Sequence, residues 1–447
     1  VIVGIGINIY EPKGGFPEEI KEVAGALLPH DISRENMRNR IASELLIRFM
    51  QFYREFPRKV YLEEYRKRCF VIGKQVRIIT PDGAPVPLRD GKNRSDALVL
   101  GVDEDCHLQV RYEDGTEEFL SNGEISIRME ENRFYFAPLE GITGYLFRNA
   151  FHEFFGQGIE KYFTPFIATG QTVFTKSRVR EDILPSHNEG IRVVPQILGN
   201  KGEDAAELIG QLYEYGYREI NLNIGCPYQT VVSKKRGAGL LGEPELLEEY
   251  LDTIFQKKPE QVQISIKTRL GISSAGEFPQ ILRIYEKYPL AELIIHPRVR
   301  EDFYGNHPDL EAFEEAFMQC SFPVCYNGDI FMVEDYHVFR EKFPQVDRIM
   351  LGRGVIANPG LVREIRTGQS VTTAELKEYH DRLYAGYREE MDCERDALFK
   401  MKEVWFYLGK MFPEAERELK KVKKADRPEE YLAAVRGVFT LPVHALQ

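Results

Sequence analysis

The spacing of apolar residues changes twice along this chain, and each change predicts a different kind of structure. Apolar residues recur at helical spacing over residues 41–53, and a second helix is predicted over residues 60–69. Over residues 75–128, apolar and polar residues alternate in short runs that the turn sequences PDG, DED and EDG separate. This stretch predicts a small antiparallel β domain.

From residue 132 onward, apolar runs are followed by segments of helical spacing, such as residues 205–215, 246–255 and 278–285. The runs predicted as strands are FYFAPLE, KYFTPFI, VVPQILG, EINLNIG, QISIKTRLG, LIIHPR, PVCYNGDI and RIMLGRGV. Eight strands that alternate with helices predict an α/β fold, a (β/α)8 TIM barrel of about 235 residues. After residue 367 no strand pattern remains, and residues 374–436 predict a C-terminal helical domain.

Composition narrows the class of protein. The chain has 447 residues, enough for several domains, with 43% hydrophobic and 29% charged residues, as is typical of a soluble protein. No apolar run approaches the ~20 residues that a membrane-spanning helix needs. The six cysteines lack the spacing of metal ligands and no signal peptide is visible, so we expect a cytoplasmic protein without bound metal or membrane contact.

Charge is unevenly distributed along the chain. The net charge of −11 argues against a general nucleic-acid binder. A basic run near the C-terminus stands out against it, with Lys420, Lys421, Lys423 and Lys424. Such a run is commonly a solvated helix face, and contact with RNA is the alternative.

The end of the fourth predicted strand carries the first candidate for catalysis. Cys226 stands there between Gly225 and Pro227, where regular structure should break and direct the thiol into a cleft. The loop that follows is basic, with Lys234, Lys235 and Arg236. Inert packing, the usual role of a buried cysteine, is the alternative.

Polar residues gather at the carboxyl ends of the predicted strands, the face that carries the active site in a barrel of this kind. We expect convergence there of Glu140, Gln196, Asn223, Cys226, Lys267, Arg269, His296, Arg298, Asn327, Asp329 and Arg353. The segment LGRGVIANPG closes the eighth strand and predicts a phosphate-binding site. Gly352 and Gly354 would let backbone N–H groups approach the phosphate, and Arg353 would add positive charge. A plain tight turn is the alternative.

Two of these residues indicate a particular ligand. Lys267 ends an apolar strand, and a buried ammonium needs an anionic or polar partner, which the pyrimidine edge of a flavin would supply. His296 could be a core histidine, but the neighbouring Arg298 and Arg300 favour contact with a ligand.

Motifs between residues 137 and 359, taken in order, resemble those of tRNA-dihydrouridine synthases. They are APLEGIT (137–143), PQILG (195–199), INLNIGCP (220–227) with GAGLL (237–241), IKTRLG (266–271), HPRVREDFYG (296–305), NGDI (327–330) and MLGRGVIANP (350–359). The family reduces the C5=C6 bond of selected uridines in tRNA, using FMN that NADPH reduces. Gly144, Pro297 and Val299 depart from the commoner family residues and put substrate detail in doubt.

The resemblance implies roles for individual residues. Cys226 takes the place of the catalytic acid, which protonates C5 of the uracil. The cofactor-binding set would be Pro138, Leu139, Glu140, Gln196, Lys267, His296, Asn327, Gly328, Asp329, Gly352 and Arg353. The candidates for contact with tRNA are Asn223, Lys234, Lys235, Arg236, Arg269, Arg298, Arg300, Lys420, Lys421, Lys423 and Lys424.

The first 128 residues resemble the C-terminal portion of a biotin protein ligase. The similar segments are GIGIN, EEYRKRCFVIGKQVRI, ALVLGVDEDCHLQV and SNGEISIR. By this likeness Gly4, Gly6 and Asn8 would lie beside a biotinyl-adenylate site. The adenylate loop and the lysine-bearing segment of that family do not occur here, so this chain alone should not ligate biotin, and Val1 would mark a truncated beginning.

The resemblances predict four domains. These are a partial ligase-like α+β domain (1–71), a small SH3-like β-barrel (72–128), a flavin-binding TIM barrel (129–366) and a helical tRNA-binding domain (367–447). Two other functions stay open: an FMN-dependent barrel reductase of a small enone or pyrimidine, and a biotin-binding module in the N-terminal part.

Overall fold

The computed structural model describes residues 7–10, 12–13, 26–27, 37–55, 58–59, 61–69, 71–73, 75–79, 86–87, 93–94, 96–112, 115–120, 126–129, 132–170, 177–391 and 393–446. The chain divides into two compact units, Val1–Glu130 and Glu131–Gln447. The division lies beside residue 128, where the sequence pattern changes. The finer division into four domains stays a prediction.

The first unit contains the antiparallel sheet that the alternating pattern predicts. Its strands are β1 (Gln75–Ile79), β2 (Val86–Pro87), β3 (Asn93–Arg94), β4 (Asp96–Val102), β5 (Leu108–Tyr112), β6 (Glu117–Leu120) and β7 (Ser126–Met129). Five of them form a sheet of order β6-β5-β4-β1-β7, and β2 pairs with β3. Side chains two residues apart, such as Val76 and Ile78, form the core because alternate residues of a strand share one face.

Two helices precede this sheet, α1 (Met37–Glu55) and α2 (Leu62–Arg68), close to the predicted bounds. Several apolar side chains of α1 are exposed, including Phe52 and Tyr53. Gly4 and Gly6 of the predicted biotinyl-adenylate site, and most of the predicted first strand, lie outside the described residues.

The second unit begins with a sheet of parallel strands. They are β8 (Arg133–Phe136), β9 (Ile159–Phe163), β10 (Ile167–Ala168), β11 (Val193–Val194), β12 (Gln196–Leu198), β13 (Glu219–Ile224), β14 (Gln263–Arg269), β15 (Glu292–His296), β16 (Val324–Tyr326) and β17 (Arg348–Leu351). The strands pair in the order β10-β12-β13-β14-β15-β16-β17-β8-β9-β11. The sheet closes on itself because β11, which pairs with β9, continues along the chain into β12, which pairs with β13. The third strand run is broken into β11 and β12 at Pro195, which has no N–H for the ladder. The fold is therefore TIM-barrel-like.

Helices follow most strands of this sheet. They are α3 (Tyr145–Phe155), α4 (Ser177–Ile183), α5 (Gly202–Glu214), α6 (Gln229–Val232), α7 (Pro244–Lys257), α8 (Phe278–Tyr285), α9 (Leu310–Gln319), α10 (Val333–Lys342), α11 (Arg353–Ala357) and α12 (Leu361–Thr367). Their apolar faces pack on the outside of the strands, whereas Tyr135, Phe163, Ile294, Cys325 and Met350 fill the interior. The barrel interior is a packed core and not a pore.

The C-terminal part is helical, as predicted, with α13 (Thr373–Glu390), α14 (Glu394–Leu408), α15 (Glu416–Lys424) and α16 (Pro428–Val438). A hydrogen-bonded chain crosses its core. Tyr431 accepts a bond from Trp405 Nε1 at 2.9 Å and lies 2.7 Å from Nε2 of His380, whose Nδ1 is 2.9 Å from Asp381. Burial lowers the pKa of His380. No helix within the described ranges is both long and apolar enough to cross a membrane.

Replacement of Tyr431 by Phe should destabilise this helical part by about 1–3 kcal/mol, because two buried groups lose their partner. Tyr384→Phe is the matched control, since its buried hydroxyl has no hydrogen-bond partner among the described residues. We expect that variant to be neutral or slightly stabilising. Denaturant unfolding checks both, and an equal loss in the two variants would contradict the prediction.

Candidate active site at the carboxyl ends of the barrel strands

The chain leaves β13 through a turn that Asn223 stabilises. Its Oδ1 accepts hydrogen bonds from the backbone N–H of Gly225 at 3.1 Å and of Cys226 at 2.6 Å. Asparagine favours such turns because its short side chain can satisfy backbone donors a few residues ahead. The turn brings Cys226 out of the sheet and into the barrel mouth, as the sequence predicts, with its side chain partly buried.

The Cys226 thiol lies in an environment that keeps it protonated. Burial raises its pKa, and the nearby Glu140 acts in the same direction. A hydrogen bond from the backbone of Tyr228 and the charges of Arg269 and Lys267 act in the opposite direction, but the pKa stays raised. A protonated thiol can donate a proton to a bound group, whereas a thiolate could not.

Gly237 holds the far end of the same loop against Cys226. Its φ is +55°, and a Cβ there would lie 2.8 Å from the backbone oxygen and 3.0 Å from Cβ of Cys226. The next residue, Ala238, donates its N–H to the same oxygen at 3.0 Å. A side chain at position 237 would therefore displace the thiol.

A ladder of buried amides crosses the neighbouring strands. The register pairs Gln196 with Asn221 and Asn221 with Ser265. Gln196 donates to Asn221 at 2.8 Å, Asn221 donates to Ser265 at 3.0 Å, and Asn223 donates to Gln196 at 2.7 Å. Sequence reasoning identified Gln196 and Asn223 but missed Asn221 and Ser265. The signal was present, since both are polar residues inside apolar strand runs.

Lys267 lies opposite Asn223 in the register and has no hydrogen bond or ion pair with another described residue. Burial lowers its pKa from 10.5 to about 7, and the charge of Arg269 adds to the effect. An ammonium group placed in this way favours an anionic or hydrogen-bond-accepting ligand, because such a ligand would replace the lost hydration.

Arg269 is only 1% exposed and joins two loops of the mouth. Its guanidinium donates to the backbone oxygens of Gly225 at 2.9 Å, Val299 at 2.9 Å and Phe303 at 2.7 Å. These contacts position the Cys226 loop, and they leave little of the side chain for the backbone of an RNA. The predicted contact of Arg269 with tRNA therefore lacks support from its geometry.

His296, Arg298, Asp329 and Arg353 form one connected cluster. Arg298 lies 2.9 Å from Nε2 of His296 and is paired with Asp329, and Asp329 also accepts from Arg353 at 2.7 Å. Burial, with the charges of Arg269, Lys267, Arg298 and Arg353, keeps the pKa of His296 well below its usual range. Arg298 is 1% exposed, so its predicted contact with tRNA also lacks support from its geometry.

The loops after β16 and β17 meet where a phosphate cradle is predicted. Asn327 donates to the backbone oxygen of Met350 at 2.8 Å and joins the two strands. A Cβ on Gly354 would lie 2.1 Å from the oxygen of Ile330, so close packing explains that glycine. Gly328 is likewise crowded, by the ring of Tyr326, whereas Gly352 meets only ordinary contacts.

The loop after β8 carries Pro138, Leu139 and the exposed Glu140. Its turn is stabilised by a hydrogen bond of 2.8 Å from the N–H of Leu139 to Oγ1 of Thr143. Lys400 of α14 donates to the backbone oxygen of Gly141 at 2.5 Å. The helical part therefore borders the mouth directly.

The other predicted RNA contacts lie outside the mouth. Lys234 and Lys235 are exposed on the Cys226 loop, Arg236 and Arg300 are partly buried, and Arg300 donates to Gln229. Four exposed lysines lie on the side of α15 that is opposite the buried Val422: Lys420, Lys421, Lys423 and Lys424. Lys420 is paired with Glu416 at 2.6 Å.

Aromatic side chains at the rim were missed. Tyr304 is 44% exposed and lies 4.6 Å from the guanidinium of Arg353 and 5.5 Å from that of Arg269. Tyr228 and Phe303 contact each other edge to face, with ring centroids 6.3 Å apart. The signal that could have identified them is the presence of aromatic residues in two polar loops of the barrel mouth, Tyr228 after β13 and Phe303 with Tyr304 after β15, since exposed rings suit the stacking of a base.

The donors at the mouth fit a flavin. A planar, polar ring system needs hydrogen-bond donors and acceptors at its edge, and the amide ladder and the ammonium of Lys267 provide them. Arg353, at the start of α11, offers charge for a phosphate. The individual assignments stay predictions.

Comparison with known proteins gives a consistent result. The family model described as dihydrouridine synthase (Dus) matches residues 135–437. The tRNA-dihydrouridine(16) synthase of Pseudomonas syringae pv. tomato is 29% identical over 300 residues, which is 62% of this chain and 90% of that protein. The tRNA-dihydrouridine synthase B of Pasteurella multocida is 31% identical over 237 residues, 52% of this chain and 68% of that protein.

Among solved structures, histamine dehydrogenase from Rhizobium sp. 4-9 matches with a TM-score of 0.40 and 15% identity over 57% of this chain and 47% of that one. Morphinone reductase matches with a TM-score of 0.38 and 12% identity over 54% of this chain and 86% of that one.

Proposed function

This chain belongs to the dihydrouridine synthase family, and on that premise we propose that it reduces the C5=C6 bond of particular uridines in tRNA with Cys226 as the proton donor. It is an oxidoreductase that uses FMN, with NADPH as the reductant. The observation that carries the assignment of Cys226 is its place in the mouth, as a protonated thiol within the influence of Lys267 and Arg269.

FMN, when bound, supplies the hydride that uracil C6 receives. The residues that would hold its ring are Gln196, Lys267 and His296, with Pro138, Leu139 and Glu140 beside it. Arg353 with Gly352, Asn327 and Gly328 would surround its phosphate. Lys267 offers a positive charge to an anionic edge, and this role accounts for a lysine that has no partner among the described residues and ends an otherwise apolar strand.

Cys226 holds the proton that C5 needs. The raised pKa keeps that proton on Sγ at neutral pH, and the turn of Asn223, the guanidinium of Arg269 and the contact of Gly237 fix the position of Sγ. Proton donation from a positioned acid contributes about 10² to 10⁴ in rate.

A uridine within folded tRNA cannot reach this site while it is stacked, so the base must be extruded. The exposed aromatic side chains at the rim, with the cations of the Cys226 loop, would receive the unstacked nucleotide. Phosphate contacts from α15 would hold the rest of the tRNA.

The decisive experiment is anaerobic. The flavin of the purified protein is reduced with NADPH, unmodified tRNA is added, and the absorbance near ~450 nm is followed. Reoxidation by tRNA, and not by free uridine or a small enone, supports the proposal. Reoxidation by the small molecules alone would favour a reductase of a small enone or pyrimidine.

Reversal of charge in α15, by Lys421→Glu with Lys424→Glu, should weaken tRNA binding and reduce the slope of log affinity against log salt concentration by about 1 per residue. The control is Lys257→Glu, which reverses one exposed charge at the end of α7, where Lys257 pairs with Glu203. Binding titrations at several salt concentrations check this. A slope that matches that of the control would contradict the role of α15.

The dihydrouridine synthase family model begins at residue 135 and does not cover the N-terminal unit. The resemblance of that unit to a biotin protein ligase therefore stays a prediction. A biotin-binding module is the function from another class that this resemblance favours. Titration of the protein with biotin tests it without reference to the flavin.

A further inference from the structure

The tautomer of His296 follows from its partner. Nε2 of the ring lies 2.9 Å from Nη1 of Arg298. A guanidinium has hydrogen-bond donors only, so Nε2 must be the acceptor and the proton of the neutral ring lies on Nδ1. Nδ1 makes no hydrogen bond to another described residue. It is also absent from the fully buried atoms that lack a partner, so it is accessible to a bound group. The Nδ1–H is therefore left for a group that binds at the mouth.

The charges around the ring come from three elements. Lys267 and Arg269 face it from β14, and Arg353 faces it from α11. Arg298 lies beyond the end of the same strand as the histidine. Protonation would add a fifth positive charge to this group, and together with burial this is why the imidazole is neutral.

Arg298 is itself held in place. It is 1% exposed, and its Nε donates to the backbone oxygen of Asn306 at 2.6 Å. Its Nη1 and Nη2 both donate to the carboxylate of Asp329, with 3.1 Å from Nη1 to Oδ1. A bidentate pair of this kind fixes the plane of the guanidinium as well as its position.

Asp329 lies between two cations, since Arg353 also donates to its Oδ1 at 2.7 Å. Both carboxylate oxygens are therefore committed to arginines. A carboxylate in contact with a phosphate would be repelled by it. The geometry therefore favours a role for Asp329 other than direct contact with the cofactor's phosphate.

We propose that Asp329 is a positioning residue: through Arg298 it holds His296 as the Nδ1–H tautomer, a fixed hydrogen-bond donor to an acceptor atom of the group bound at the barrel mouth. The identity of that group as a flavin rests on the proposed function. The tautomer itself does not, because it follows from protein contacts alone.

The test is nuclear magnetic resonance of protein labelled with ¹⁵N in its histidines, whose ring chemical shifts distinguish a protonated from an unprotonated nitrogen. His296→Gln assigns the signal. In the wild type we expect one proton, on Nδ1, from pH 6 to pH 8. In Asp329→Asn, which preserves size and removes the charge, we expect a mixture of tautomers and a loss of flavin affinity of about 10- to 100-fold, the range typical of residues that orient a metal-binding histidine. Glu334→Gln, which removes an exposed carboxylate five residues further along the chain, should change neither.

An Nε2–H signal or a doubly protonated ring in the wild type would overturn the proposal without any variant, so the test does not depend on the folding of Asp329→Asn. A single Nδ1–H tautomer in Asp329→Asn with unchanged flavin affinity would also overturn it. The spectra are recorded without tRNA. Failure of the protein to make dihydrouridine in tRNA would therefore refute the proposed function without affecting the conclusion about the tautomer.

Discussion

Replacement of Cys226 by Ala should lower the rate of tRNA reduction by about 10² to 10⁴ while the flavin stays bound and is still reduced by NADPH. The neutral thiol is the proton donor that the turn after β13 brings to the mouth. The charged groups that act on its pKa are Arg269, Lys267 and Glu140. Single-turnover reoxidation of the flavin by tRNA measures the loss. The absorption spectrum of the flavin reports whether the binding site is intact.

Two further variants show whether the loss belongs to the thiol. Cys226→Ser has a hydroxyl of nearly the same size but a much weaker acid, so it should stay close to the Ala variant in rate. Cys393→Ala removes an exposed cysteine of the helical part and should behave as the wild type. Because burial raises the pKa of Cys226, the thiol should stay protonated up to at least pH 8.5, about the pKa of an ordinary thiol. The wild-type rate should therefore not decline as the pH is raised to that value. Full turnover by the Ala variant would refute the assignment.

Replacement of Lys267 by Met should weaken flavin binding by about 10- to 100-fold, the loss of one charge-assisted hydrogen bond. The same change should stabilise the flavin-free protein at neutral pH and below. The folded-state pKa of Lys267 is about 7 against 10.5 for an ordinary lysine, so below pH 7 folding holds a costly buried charge. A tenfold change in a proton-binding constant is about 1.4 kcal/mol, so this lowering of the pKa sets an upper limit of roughly 5 kcal/mol on the cost.

The direction of the pH effect follows from proton counting. Between pH 7 and pH 10.5 the unfolded chain binds more protons at this residue than the folded one, so the stability of the flavin-free wild type should rise with pH across that window. Lys267→Met should lack this rise, and Lys257→Met, an exposed control, should retain it. Denaturant unfolding at a series of pH values decides. A parallel pH dependence in Lys267→Met and the wild type would contradict the role of Lys267.

Much of the fold could be predicted because periodicity reports burial directly. Eight apolar runs ending in polar residues indicated the parallel strands, and the helical spacing of residues 278–285 matched α8 residue for residue. The convergence of Cys226, Lys267 and His296 followed from a general property of barrels, the meeting of strand ends at one face.

What could not be predicted depends on partners distant in the chain. Sequence alone treated Arg269, Arg298 and Asp329 as ligands of RNA or phosphate, because a charged residue in a motif does not reveal which atoms it contacts. Their partners are backbone oxygens and one another, across three loops. Gly354 was interpreted as an opening for a phosphate, although it is required by a close contact with Ile330. Buried polar residues such as Ser265 were passed over because a short polar residue inside an apolar run does not reveal its hydrogen-bond partner on the neighbouring strand.

The bond between Lys400 and the oxygen of Gly141 has a consequence for which uridine is chosen. Gly141 follows Glu140 in the loop beside the thiol, and Lys400 belongs to α14 in the helical part, for which contact with tRNA is proposed. This hydrogen bond ties the helical part to the loop beside the thiol. If the helical part binds the tRNA, its fixed attachment to this loop would select the uridine that lies at a given distance from the bound region. Specificity for position would then depend on the arrangement of the helical part, while the reacting residues stay the same.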